Sequence, residues 1–129
     1  DKDSMYNTPP CWCIYMLGLV LDWLEEKGGL PGMEAIKHSK AQMLYDVLDD
    51  SRLFTCAAQK GSRSDMNVTF RSVSEELDAK FVKESTAAGF TNLKGHRSVG
   101  GMRASIYNAM PVEGVEKLCD FIKAFDKAN

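Results

Sequence analysis

The ten residues Lys94–Arg103, read KGHRSVGGMR, gather the side chains of this sequence best suited to holding an anion. Lys94, Arg97 and Arg103 bring three positive charges, His96 adds an imidazole, and the stretch has no acid. The whole chain carries −2, so the remainder sums to −5 (−2 minus +3). A cationic island on an acidic chain says more about a local ligand than the global charge does. Arginine grips a carboxylate or phosphate through two parallel hydrogen bonds, which a lysine point charge does not reproduce. Gly95, Gly100 and Gly101 let the backbone approach a bound group closely. The stretch reads as a loop for a small, multiply charged anion. A glycine-rich turn with solvated charges is the plainer alternative on these residues alone.

A second candidate lies near the start. Pro9 pushes Thr8 into an extended conformation, and Pro10 suits a first helical turn. Asn7 and Thr8 thus sit in a loop that leads into a helix N-terminus, where free N–H groups and the positive dipole end favour phosphate. Thr8 as a plain N-cap or loop residue fits equally well.

These side chains need a scaffold, and 129 residues make one domain with enough apolar sequence, 44%, to build a core. A net charge of −2 and a pI of about 5.7 argue against a nucleic-acid binder. Cys11, Cys13, Cys56 and Cys119 lack zinc spacing, so no metal site is expected, and they read as reduced thiols, mostly core filler. Cys11–Leu21 is an apolar run of eleven residues, too short to cross a bilayer and ended by Asp22. Acids at Asp1 and Asp3 are wrong for a secretory signal.

The periodicities place a first helix over about 10–27, apolar nearly all round in its first half. Such a helix needs cover on more than one side, and another domain or subunit is expected to supply it. Gly28 and Gly29 stop it. Pro31 opens a second helix to about Asp49, with Met33, Ile36, Met43, Leu44, Val47 and Leu48 as its buried stripe. His38, beside Lys37 and Lys40, reads as a solvated helix residue. Strands are expected at 53–57, 66–73, 90–93 and 102–108, the second on clean alternation of Met66, Val68 and Phe70 with polar residues. Ser74 caps a helix over 75–88. Pro111 opens the last helix, with Val115, Leu118, Cys119, Ile122 and Phe125 inward. The order α-α-β-β-α-β-β-α describes an α+β two-layer sandwich, a small, mostly antiparallel sheet with helices on one face. The 94–103 loop then lies at the sheet's rim.

Three stretches of this scaffold carry a family resemblance. Ser4-Met5-Tyr6-Asn7-Thr8-Pro9-Pro10 resembles the S-x-Y-N-T-P-P entry of the phosphoserine aminotransferase family. Residues 95–109, GHRSVGGMRASIYNA, resemble its G-H-R-x-x-G-G-x-R-A-S-x-Y-N-A segment, and Ser64–Arg71 is similar to its S-x-M-N-[VI]-x-F strand. The resemblance covers nearly the whole chain, is closest to plant-like and other eukaryotic members, and corresponds to the C-terminal part of the enzyme alone. It implies a class V, fold type I, pyridoxal-phosphate-dependent homodimer that converts 3-phosphohydroxypyruvate and glutamate into O-phosphoserine and 2-oxoglutarate, in L-serine biosynthesis. It implies a cytosolic enzyme, or a plastid one in plants.

Carried over position by position, Asn7 and Thr8 match the pair that contacts the cofactor phosphate of the neighbouring subunit. His96 and Arg97 match contacts to the substrate phosphate, and Arg103 matches the arginine on the substrate carboxylate. The family's Schiff-base lysine belongs to a large domain upstream, so residues 1–129 are expected to be a single small domain with no catalytic residue, inactive by itself. Gln59-Lys60 imitates the family's Gln-Lys pair, but it sits in a polar loop that the family leaves variable, and Lys60 reads as solvated. The competing reading is a non-catalytic α+β module that binds an anion or regulates a partner through the 94–103 loop.

Overall fold

A computed structural model of the chain describes residue 3 and residues 5–129. Ser4, the first residue of the S-x-Y-N-T-P-P stretch, lies outside the described residues. The chain divides into two compact units, Asp1–Ala35 and Ile36–Asn129.

The first unit contains helix α1 (Cys11–Glu26) and the start of helix α2 (Gly29–Asp49). Pro10 occupies the N-cap of α1 with no side-chain cap, so Thr8 is not the cap residue. Gly28 and Gly29, with φ of 90° and 65°, break the chain between the helices in the left-handed region that glycine alone enters cheaply. The second helix starts at Gly29, two residues ahead of Pro31, which sits in its first turn. No residue of α1 is buried.

The second unit holds a three-stranded antiparallel sheet in the order β1 (Phe54–Cys56), β2 (Asn67–Ser72), β3 (Met102–Ser105). Helix α3 (Glu75–Ala87) connects β2 to β3, and helix α4 (Val112–Ala128) ends the chain. Ser74 caps α3 by accepting a hydrogen bond from the Leu77 N–H. Alternation along the strands sends Phe54, Val68, Phe70, Met102 and Ala104 to one face, where they pack with Leu44 and Leu48 of α2, Phe81 of α3, and Leu118, Ile122 and Phe125 of α4. The ring of Phe81 meets those of Phe54 and Phe125 edge-on at 5.1 and 5.2 Å. Within this unit the helical cover is on that face; the other carries Thr55, Arg71 and Arg103, all exposed. This is the expected α+β two-layer arrangement.

Two strand expectations change. Residues 90–93 form no strand: Asn92 takes a φ of 60°, and pairing shrinks to a single bridge between Lys94 and Met102. The last strand stops at Ser105 instead of continuing to 108, because a turn over Tyr107–Met110 follows. Lys40 gathers that turn. Its side chain is fully buried, and its ammonium donates to the carbonyls of Tyr107, Asn108 and Met110 at 2.9, 3.2 and 2.9 Å. Burial pushes its pKa down from the usual lysine value.

On the other side of α2, Arg63 lies 4.5 Å from the centroid of the Tyr45 ring and bonds both oxygens of Asp49, at 2.9 and 2.5 Å. The guanidinium holds the Asp49 carboxyl below the usual carboxylate range. His38 is exposed, as expected, with Nδ1 3.4 Å from Asp65. The cysteines depart from the core-filler expectation: only Cys119 is buried, its thiol pushed up to about 11 by burial, while Cys11 and Cys13 are exposed.

Candidate functional site

The 94–103 loop is a tight, internally bonded structure. Gly95 N–H donates to Gly101 O at 2.8 Å, Arg103 N–H to Leu93 O at 2.8 Å, and the N–H groups of Val99 and Gly100 both reach His96 O, at 2.9 and 2.8 Å. Two glycines are required by space. A Cβ on Gly95 would run into the carbonyl oxygens of Gly100 and Gly101. On Gly101, whose φ is 65°, a Cβ would lie 2.7 Å from the Phe70 carbonyl oxygen. The loop therefore lies flat against the end of β2, and its cations are displayed from a fixed frame.

His96 is oriented from within that frame. Its Nδ1 lies 2.7 Å from Ser98 Oγ and accepts from the Ser98 N–H at 3.3 Å. With Nδ1 accepting, the neutral ring carries its proton on Nε2, leaving that nitrogen as a donor for an anion. Lys94, Arg97 and Arg103 make no side-chain ion pair or hydrogen bond among the described residues. Unpaired cations at one rim are what an anion site requires.

Two hollows open beside the loop. The smaller, about 120 Å³, is lined by Thr69, Arg71, Gly95, His96, Gly100 and Arg103 among others, and no carboxylate lines it among the described residues. The larger, about 730 Å³, has Lys83, Lys94, His96 and Arg97 on its wall, with Glu75 and Asp78 from the first turn of α3. The expected trio is thus distributed. His96 belongs to both hollows, Arg103 to the smaller and Arg97 to the larger; Arg97 and Arg103 share neither.

Asn7 and Thr8 are exposed in the loop before α1, and their side chains make no hydrogen bond among the described residues. They precede a helix end that no side chain caps; the Cys11 N–H donates to the Pro9 carbonyl at 2.9 Å, and the N–H groups of Trp12 and Cys13 stay available to an anion. Lys60 is solvated as expected, its side chain 83% exposed and 3.4 Å from Asp49.

Sequence reasoning missed Arg71 at this site and, away from it, the buried Lys40. Arg71 lines both hollows, yet in the strand it is one more polar residue on the alternating solvent side. Lys40 entered the sequence reading only as a neighbour of the solvated His38, and only the tertiary fold shows its three carbonyl acceptors. No local signal reveals the second; the register of β2 against β3 would have pointed to the first.

Residues 1–118 match the family model for aminotransferase class-V. The chain is 55% identical to the phosphoserine aminotransferase of Desulfosudis oleivorans and 53% identical to that of Listeria monocytogenes serovar 1/2a, in each case over all of this chain and 36% of the relative. The solved phosphoserine aminotransferase of Bacillus circulans subsp. alkalophilus superposes with a TM-score of 0.93 at 52% identity, over 97% of this chain and 35% of that one. A pyridoxal-phosphate-bound phosphoserine aminotransferase from Trichomonas vaginalis gives a TM-score of 0.84 at 42% identity, over 92% of this chain and 34% of that one. The chain spans about a third of the length of these relatives.

Proposed function

Given that the chain belongs to the aminotransferase class-V family, we propose that it is the small-domain portion of a phosphoserine aminotransferase. The parent enzyme exchanges the amino group between glutamate and 3-phosphohydroxypyruvate, giving 2-oxoglutarate and O-phosphoserine for L-serine synthesis, as a cytosolic homodimer. The observation that carries this reading is the pair of adjoining basic hollows joined by His96. A substrate with a carboxylate at one end and a phosphate at the other needs two cationic seats a few ångströms apart, not one.

In this reading Arg103 takes the carboxylate in the smaller hollow, and its fork fixes the orientation of the substrate backbone. Arg97 takes the phosphate in the larger one. His96 donates from Nε2 toward the same phosphate, its ring held by Ser98. Because both hollows are rimmed by unpaired donors, glutamate and phosphoserine can each be held by the carboxylate, while the phosphate contacts discriminate between them.

The cofactor fits the remaining residues. Asn7 and Thr8, exposed beside an uncapped helix N-terminus, offer side-chain and backbone donors suited to the phosphate of pyridoxal phosphate bound by a neighbouring subunit. Pyridoxal phosphate, when bound, supplies the electron sink for moving the amino group. Its Schiff-base lysine lies in the part of the enzyme outside these residues, so the 129-residue chain alone is inactive. Exposed Trp12, Ile14 and Leu17 on α1 make contact with that remaining part or with the second subunit.

The test is kinetic. In the complete enzyme, Arg103→Lys should lower kcat/KM at least tenfold with both amino donors, because a point charge replaces a two-bond fork. Absence of phosphoserine transamination by the unaltered enzyme, or an indifferent Arg103→Lys variant, would contradict the reading.

A further inference from the structure

The smaller hollow contains one cation more than the motif that surrounds it. Arg71 is on β2, outside the 94–103 loop, yet it lines the same 120 Å³ space as His96 and Arg103. Sheet register explains how. Arg103 pairs with Thr69 across β2 and β3, and Arg71 follows Thr69 by two residues, so both arginines stand on the open face of the sheet as diagonal neighbours. Diagonal Cβ atoms on one face are about 7 Å apart or a little less, within reach for two guanidinium groups to meet on one small anion.

Glu75 and Asp78 share the larger hollow with Arg71 but do not line the smaller one. Arg71 makes no ion pair among the described residues, and its one side-chain hydrogen bond there is a long one, from Nη2 to the Val99 carbonyl at 3.4 Å. That bond ties one nitrogen to the loop and leaves the other donors of the fork free. Two guanidiniums and an imidazole around about 120 Å³, with no carboxylate among the described lining residues, constitute a site with a formal charge of +2 from its arginines alone. Such a volume matches a single carboxylate or phosphate group and not a whole substrate.

We propose that Arg71 is a further substrate-binding residue, sharing with Arg103 the grip on the oxyanion group held in the smaller hollow, the carboxylate of the substrate. The proposal rests on the transaminase reading for the identity of that substrate. Its geometry does not: the same hollow would bind a free oxyanion. Arg71 also positions the loop through Val99, and the test must separate that role from charge.

The pair Arg71→Gln and Arg71→Lys does so, because both give up the Nη2 bond to the Val99 carbonyl and only lysine keeps the positive charge. In the complete enzyme, Arg71→Gln should raise the KM for phosphoserine about tenfold with kcat changed less than twofold, and Arg71→Lys should recover part of the loss. A parallel rise in the KM for glutamate is expected, because both substrates carry that carboxylate; a rise for phosphoserine alone would overturn the grip shared with Arg103. Unchanged KM values, or equal losses in Arg71→Gln and Arg71→Lys, would overturn the proposal. A second readout needs no turnover: calorimetric titration of the enzyme with inorganic phosphate should show a Kd several-fold weaker for Arg71→Gln than for the unaltered protein. Identical Kd values would overturn the proposal whether or not the enzyme transaminates phosphoserine. Loss of phosphoserine activity in the unaltered enzyme with a weakened phosphate Kd in Arg71→Gln would sink the transaminase reading alone.

Discussion

Helices α1 and α4 are both rich in apolar residues, and they meet opposite fates. In α4, Val115, Leu118, Cys119, Ile122 and Phe125 fall on one stripe, and all five are buried. In α1 the apolar residues run around the helix, and none is buried: Trp12 is 71% exposed, Ile14 57% and Leu17 58%. An amphipathic stripe states where its cover lies, because only one side needs any. A helix apolar all round states that it needs cover without saying whose. The second unit is therefore complete in its own packing, whereas α1 has the composition of a core element and the exposure of a surface one. Scattered exposed apolar residues are normal on proteins, but a contiguous run of this kind marks an interaction surface.

Truncating the packed side gives the largest expected effect. Phe81 is fully buried and touches the rings of Phe54, Phe70, Phe121 and Phe125. Phe81→Ala should cost roughly 3–5 kcal/mol in denaturant unfolding, through lost transfer energy and an unfilled cavity. A loss below about 1 kcal/mol would mean that the second unit is loosely packed and that the contrast with α1 is false.

Next in size is Lys40, the buried charge of that same unit. Lys40→Met fills similar space but strands the carbonyls of Tyr107, Asn108 and Met110. The expected destabilisation is about 3 kcal/mol, since a hydrogen bond to a charged group contributes about 1.5–3 kcal/mol and unsatisfied buried acceptors add a penalty. The turn begins two residues beyond Ser105, the last residue of the strand that carries Arg103, so kcat/KM of the complete enzyme should fall with it. Amide exchange of residues 107–110 should speed up in the variant; unchanged protection there would show that Lys40 merely fills space.

The same contrast shows what the sequence could and could not reveal. One-sided elements were legible: β2 from the alternation of Val68 and Phe70 with Asn67 and Thr69, and α4 from its stripe. Ser74 was legible as a cap because its neighbours Glu75 and Glu76 suit a helix start. Elements decided by distant partners were not. Residues 90–93 have strand-forming character in Phe90 and Leu93, but the left-handed Asn92 leaves them a single bridge. Lys40 sits in a charged run that reads as wet, and its acceptors are almost seventy positions away in sequence. The candidate site was legible as a cationic loop from residue types, and the identity of its ligand only through resemblance. Its division into two hollows was not, because Arg97 and Arg103 are six positions apart and only the fold of the glycine turn sends them to different hollows. Arg71 joined the site through cross-strand register, which no local pattern encodes.

The smallest stability change is expected on the uncovered helix, and it isolates the difference between needing cover and having it. Leu17 is 58% exposed in the centre of the apolar half of α1. Leu17→Ser removes apolar surface that is already in water, so the unfolding free energy of the 129-residue chain should move by less than about 0.5 kcal/mol. Binding of a dye that reports exposed apolar surface should fall, and self-association at high concentration with it. In the complete enzyme the order reverses: a side chain covered by the rest of the protein or by a second subunit would cost about 2–5 kcal/mol when truncated. Equal, small effects in both settings would mean that α1 remains solvated throughout and that its apolar run serves no interface. A large effect in the short chain would mean that Leu17 finds cover within these 129 residues, and the distinction between the two helices would vanish.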